Sequence, residues 1–191
     1  MYLHLSMHTY ILRVWINGIQ PQESRYRVSG IAVPENWNGG AIWAGFFNLS
    51  ITELPLDGNA IPEIFKVYMR DTGLFISMLE DGTQADVLQG NLYAYKGAIF
   101  ENLMADFFAK AGRKLYYYHK DSGLEIDFVT RYEGRCTLVE VKAKTGNAKS
   151  LKTVLKHPEK YHVFDALKFG EYNIGRQGQV LTLPLYMGAF I

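Results

Sequence analysis

A chain of 191 residues, 48% of them hydrophobic, carries enough apolar material for one medium domain, or for a small unit joined to one, so disorder is not the default expectation. Its 20 Lys and Arg against 19 Asp and Glu leave no long-range basic field, so any phosphate-binding surface must be local. The single cysteine, Cys136, excludes an internal disulfide. Neither it nor His119, His157 and His162 shows the ligand spacing of a zinc site. The chain opens without a basic leader followed by an apolar run, and nowhere reaches the ~20 apolar residues of a membrane span. The expectation is a cytoplasmic protein with no membrane partner.

Residues 1 to about 47 show neither a helical nor an alternating period, with weak strand character at Tyr10–Ile16 and Tyr26–Val33 and a loop over Pro34–Gly40. From Asn48 the pattern sharpens. Leu49–Thr52 and the alternating Ile64–Met69 predict a hairpin around the turn-prone Leu56–Asn59, and Asp71-Thr72 caps a short helix over Gly73–Leu79, ended by Asp81-Gly82-Thr83. Residues 48–90 therefore read as a small accessory unit.

The strongest helix covers about Leu92–Ala111, where Phe100, Leu103, Met104, Phe107 and Phe108 recur at helical spacing before Gly112. Strands follow at Lys114–His119, Leu124–Arg131 and Thr137–Ala143, separated by the turns Asp121-Ser122-Gly123 and Glu133-Gly134. A helix over Ala148–Lys156 and strands at Tyr161–Leu167 and Gln179–Leu183 complete an α/β unit spanning 91–191. Tyr116, Tyr117 and Tyr118 read as core and cross-strand packing.

Alternation along a strand places Glu125 and Asp127 on one face with Val129, and Glu140 and Lys142 on one face with Leu138, leaving Ile126, Phe128, Val139 and Val141 for the other. Two strands joined by the Glu133-Gly134 turn would bring Asp127 and Glu140 together on one surface. Paired carboxylates with few soft donors suit Mg²⁺ or Mn²⁺. Lys142 would then stabilise charge on a phosphoryl oxygen, or orient or deprotonate the attacking water. Glu101, bordering the apolar stripe of the long helix, would reach the same place as a further ligand or through a water. Spacing alone also fits outward residues of an amphipathic sheet, with a Glu140–Lys142 ion pair of little energetic weight. After the third strand, Lys149, Lys152 and Lys156 stand at helical spacing opposite Leu151, Val154 and Leu155, with Lys144 and Lys160 nearby. They are the candidate nucleic-acid stripe, or else a solvated helix face.

Phe-Glu101-Asn-Leu, Glu125-Ile-Asp127-Phe-Val and Val-Glu140-Val-Lys142, together with Phe65–Leu74 and Leu181–Tyr186, resemble a known signature. It is that of the carboxy-terminal domain of unknown function that follows the AAA-type ATPase module in many bacterial and archaeal proteins. That domain is in turn similar to the PD-(D/E)XK nucleases. The resemblance implies a restriction-endonuclease-like mixed central sheet flanked by helices, preceded by a small β-rich remnant of a winged-helix-like region. It also implies Glu101 as the helix acid, Asp127 as the strand acid and Glu140 with Lys142 as the E-x-K pair. No Gly-x-x-x-x-Gly-Lys-Ser/Thr sequence is present, so the ATP-cradling loop is missing, and the first ~45 residues do not match the family's preceding region, as in a truncated or frame-shifted product. Two functions follow as expectations: a Mg²⁺-dependent nuclease acting on nucleic acid, or a non-catalytic DNA- or protein-binding module that docks with an ATPase module or partner protein.

Overall fold

The computed structural model describes residues 43–143 and 148–191, with short backbone strands β1 (Tyr2–His4), β2 (Arg13–Trp15), β3 (Arg27–Val28) and β4 (Ile31–Ala32) before them. The loop expected over Pro34–Gly40, and Lys144, lie outside the described residues. Within the weak strand segments, β2 falls inside Tyr10–Ile16, and β3 and β4 pair with each other inside Tyr26–Val33.

Eight strands form one mixed sheet: β5 (Trp43–Leu49), β6 (Ala60–Met69), β7 (Leu115–His119), β8 (Glu125–Tyr132), β9 (Arg135–Lys142), β10 (Asp165–Gly170), β11 (Gly175–Gln177) and β12 (Val180–Pro184). Their order is β11-β12-β10-β9-β8-β7-β5-β6. The meander β7-β8-β9 and the two terminal pairs, β5-β6 and β11-β12, are antiparallel, while β9-β10, β10-β12 and β5-β7 are parallel. A parallel neighbour needs a crossover, and β9 reaches β10 through α4 (Lys149–Leu155) and α5 (Pro158–Tyr161). The expected hairpin of the accessory unit is present as β5-β6, and β5 pairs with β7 at Asn48↔Tyr117, so it extends the same sheet.

Local chemistry accounts for the boundaries. The Asp71 carboxylate accepts from Leu74 N–H at 2.8 Å and caps α1 (Thr72–Ser77), as expected. Where the Asp81-Gly82-Thr83 turn predicted only an end, a second short helix, α2 (Thr83–Leu88), begins. The long helix is α3 (Lys96–Lys110), entered through a 3-10 turn over Tyr93–Tyr95. Glu133 and Gly134 both take positive φ, 48° and 79°, the geometry of a tight two-residue hairpin turn between β8 and β9. Strand β5 ends at Leu49, where the expected strand Leu49–Thr52 begins; of the strand expected at Tyr161–Leu167, Tyr161 closes α5 and β10 starts only at Asp165; and β11 had no sequence signal, since all three of its residues are exposed.

The sheet separates two apolar cores. On one face α3 sets Ile99, Phe100, Met104 and Phe108 against Phe128, Val139, Val141 and Phe169, with Phe128 packing edge-on to both Phe46 and Phe108. On the other, α4 and α5 set Leu151, Val154, Leu155 and Tyr161 against Tyr116, Tyr118, Ile126, Val129 and Leu138. Cys136, on β9, is buried in this second core. The three tyrosines of β7 are all buried, in keeping with a packing role.

Asn102 joins α3 to the end of β6. Its side chain accepts from Met69 N–H at 2.8 Å and donates to Met69 O at 3.0 Å and to Thr72 Oγ1 at 3.1 Å. Asn102→Ala would strand both backbone groups of a buried residue. We expect it to lower unfolding free energy by about 2–3 kcal/mol, read from the midpoint of urea denaturation at unchanged m-value.

Candidate functional site

The site forms where β8 and β9 part. Tyr116 pairs with Val129 and Tyr118 with Ile126, so two steps along β7 are matched by three along β8: a β-bulge with its extra residue at Asp127-Phe128. Two consecutive side chains therefore point to the α3 side. Phe128 enters the α3 core while Ile126 and Val129 both enter the α4 core. This corrects the alternation expected from sequence, in which Asp127 shared a face with Val129 and Ile126 shared one with Phe128.

The β8-β9 ladder closes at Phe128↔Val139. Beyond it the Asp127 carboxylate takes the place of a strand partner, its Oδ2 accepting from Val141 N–H at 2.7 Å. Strand β9 stays anchored on its other side, with Glu140 opposite Lys168 and Lys142 opposite Gly170. A Cβ at Gly170 would come within 2.6 Å of the Lys142 carbonyl oxygen, so the close approach that holds this end of β9 requires glycine. Glu140 and Lys142 continue the row of Leu138, on the α4 side. The expected common surface for Asp127 and Glu140 is thus replaced by a fork. Asp127 reaches it from one face of the sheet and Glu140 from the other.

Six ionisable groups gather there. Asp127 and Glu140 are buried, with relative exposures of 8% and 3%, and Lys66 is buried at 5%. Glu101, Glu125 and Lys142 are partly exposed, so the cluster opens to solvent on their side. The Lys142 ammonium pairs with Glu140 Oε1, Lys66 pairs with Glu125, and Tyr68 Oη lies 3.2 Å from Glu101 Oε2. Glu140 Oε2 is buried and has no hydrogen-bond partner.

Electrostatics follow from this crowding. Burial, reinforced by the Asp127 charge, raises Glu101 to about 8 and Glu140 to about 7. Burial also raises Asp127, against the pull of Lys142 and the Val141 amide. For Lys142, burial disfavours the charge but the Asp127 and Glu140 carboxylates outweigh it, and its pKa rises. Lys66 behaves alike through Glu101 and Glu125. Glu125 is lowered, because Lys66 overcomes the burial penalty.

All four sequence-predicted residues, Glu101, Asp127, Glu140 and Lys142, therefore converge. Among the described residues, no three His, Cys, Asp or Glu side chains already close on a common point as a metal cage. The free oxygens are nonetheless hard donors suited to Mg²⁺ or Mn²⁺, and the orphaned Glu140 Oε2 is one of them, so the residues fit such a cation. Lys149 and Lys152 on α4 and Lys156 at its C-cap are exposed, while Leu151, Val154 and Leu155 are buried. That helix abuts the site, since Ser150 Oγ accepts from Glu125 N–H at 3.4 Å. Lys66 and Tyr68 had no assigned role in the sequence reading. The available signal was a lysine inside a strand, flanked by the apolar Phe65 and Val67.

Residues 96–186 match the model of a family described as a domain of unknown function (DUF4143). The match begins at the first residue of α3, so it includes Glu101, Asp127, Glu140 and Lys142 and leaves out Lys66 and Tyr68. Searches of curated proteins and of solved structures gave no match to the chain. No helix among the described residues is long and apolar enough to cross a membrane.

Because Glu101 and Glu140 keep their protons to higher pH in the folded chain than the 4.5 of an unperturbed glutamate, the folded state binds more protons between about pH 4.5 and 8. Stability falls as pH rises through that window. The metal-free chain should therefore melt at a lower temperature at about pH 8.5 than at about pH 5.5, and Glu101→Gln should flatten the profile in differential scanning calorimetry.

Proposed function

We propose that the chain is a metal-dependent phosphodiester hydrolase of the PD-(D/E)XK kind, acting on nucleic acid, and that it corresponds to the carboxy-terminal domain of AAA-type ATPase proteins. The observation that carries this reading is the buried fork, where Asp127 and an unpartnered Glu140 oxygen face one cluster. When all are ionised, the four carboxyls of Glu101, Glu125, Asp127 and Glu140 exceed the two ammoniums of Lys66 and Lys142 by two charges, the complement of one divalent cation. The helix–three-strand–helix–strand order of α3, β7-β8-β9, α4 and β10, in a mixed sheet covered on both faces, supports the same reading.

Asp127 and Glu140 would hold Mg²⁺ or Mn²⁺, with Glu101 supporting the shell from α3. Bound there, the cation supplies Lewis-acid polarisation of a phosphoryl oxygen and lowers the pKa of water. Lys142, its pKa raised, stays an ammonium at neutral pH. It therefore fits stabilisation of developing phosphoryl charge better than proton abstraction. Lys149, Lys152 and Lys156 offer phosphate contacts on the adjoining helix.

The rival, a non-catalytic DNA- or protein-binding module, is favoured by the Lys142–Glu140 pair, which occupies one of the carboxylate oxygens a metal would use. Titration calorimetry with Mn²⁺ and Mg²⁺, beside plasmid and single-stranded DNA cleavage, separates the two. Wild-type chain should bind and cleave, and Asp127→Ala/Glu140→Ala should do neither. Lys142→Met should retain the metal and lose about 10²–10³-fold in turnover. A folded wild type that binds neither cation and cleaves nothing would overturn the hydrolase and point to a non-catalytic module.

A further inference from the structure

The site has a second lysine, contributed by a strand outside the family-matched region. Lys66 and Tyr68 stand two apart on β6 and so share its α3-facing side. Each engages a different acid of the cluster: the Lys66 ammonium pairs with Glu125, and the Tyr68 hydroxyl meets Glu101. Lys66 also lies 5.0 Å from the centroid of the Tyr117 ring, which fixes its stem against β7, and only 5% of the residue is exposed. It is too buried to meet a polymeric substrate. Burial of a lone ammonium is costly, so its place in the fold requires the carboxylates it faces.

Glu125 stands two residues before Asp127, and its carboxylate feels Lys142 as well as Lys66. Released from Lys66, it could turn towards Lys142 and crowd the Asp127–Glu140 pair. We infer that Lys66 is a positioning residue, which holds Glu125 apart from the Asp127–Glu140 pair and so makes the β5-β6 hairpin an integral wall of the site. This inference rests on the metal-binding reading above and adds to it which residue keeps Glu125 out of the ligand set.

Mn²⁺ titration of the full chain, with thermal melts alongside, tests it through a double-mutant cycle. Lys66→Met removes a cation and frees a fourth carboxylate, so Mn²⁺ should bind more tightly by about threefold or more, while Lys66→Arg restores the wild-type affinity. Glu125→Gln leaves the ammonium facing Glu101 and Asp127 and should weaken binding by about threefold or more, a change of opposite sign. The decisive value is the coupling: Glu125→Gln should cost at least about threefold more affinity in the Lys66→Met background than alone, because only there has Glu125 joined the ligands. Strictly additive affinities, or two variants that lower the melting temperature and leave Mn²⁺ affinity unchanged, would reduce Lys66–Glu125 to a structural ion pair. Should Lys66→Met fail to fold, the sign of the Glu125→Gln change decides, unchanged or tighter binding overturning the inference. A folded wild type without Mn²⁺ affinity instead overturns the metal-binding reading, and this role with it.

Discussion

A carboxylate taken out of water must find donors or lose its charge, and in this fold Asp127 finds one in the backbone of the neighbouring strand. That bond to Val141 N–H occupies a place in the β8-β9 ladder that a main-chain carbonyl would ordinarily fill. It is open because β8 carries one residue more than β7 can match, and the bulge swings Asp127 out of the row of Ile126 and Val129. Where the two strands part, side chains from both faces of the sheet come together. Glu101 can then approach from the helix on one face and Glu140 from the other, although a continuous sheet would have kept them apart.

The consequence is a cluster whose members depend on one another. Lys142 is held charged by Asp127 and Glu140, while burial raises the pKa of both acids and the Asp127 charge raises that of Glu140 further. Main-chain rigidity on both sides gives this arrangement its precision. Gly170 allows β10 to press against the Lys142 backbone, and Asn102 ties the helix next to Glu101 to the last residue of β6. Burial of this many ionisable groups is costly, and the fold offsets part of it by pairing Lys142 with Glu140 and Lys66 with Glu125.

Much of this was legible in the sequence because its signals were local. The apolar stripe of α3, the Asp71 cap, the Glu133-Gly134 turn and the acids interrupting β-forming stretches each depend on a few neighbouring residues, and Glu101, Asp127, Glu140 and Lys142 do converge. What was not legible depends on matching distant segments. A bulge is a mismatch in length between two strands, so the Asp127-Phe128 kink leaves no mark in β8 alone, and strict alternation assigned the wrong row to Val129. Lys66 was missed for the same reason. Its significance comes from β5 pairing with β7, a contact between segments about 70 residues apart that brings β6 to the acids.

Cys136 gives the chain a property of its own. It is the only thiol in the sequence, sits on β9 four residues before Glu140, and is buried among the α4-side residues, where loss of solvent pushes its pKa up to about 12. A thiol so far from ionising is inert to alkylating reagents while β9 is covered, because the thiolate is the reacting species. Each opening of that strand exposes it, so the rate at which the thiol is labelled follows the local breathing of the element that carries Glu140 and Lys142. The molecule thus contains its own chemical clock for the motion of its site.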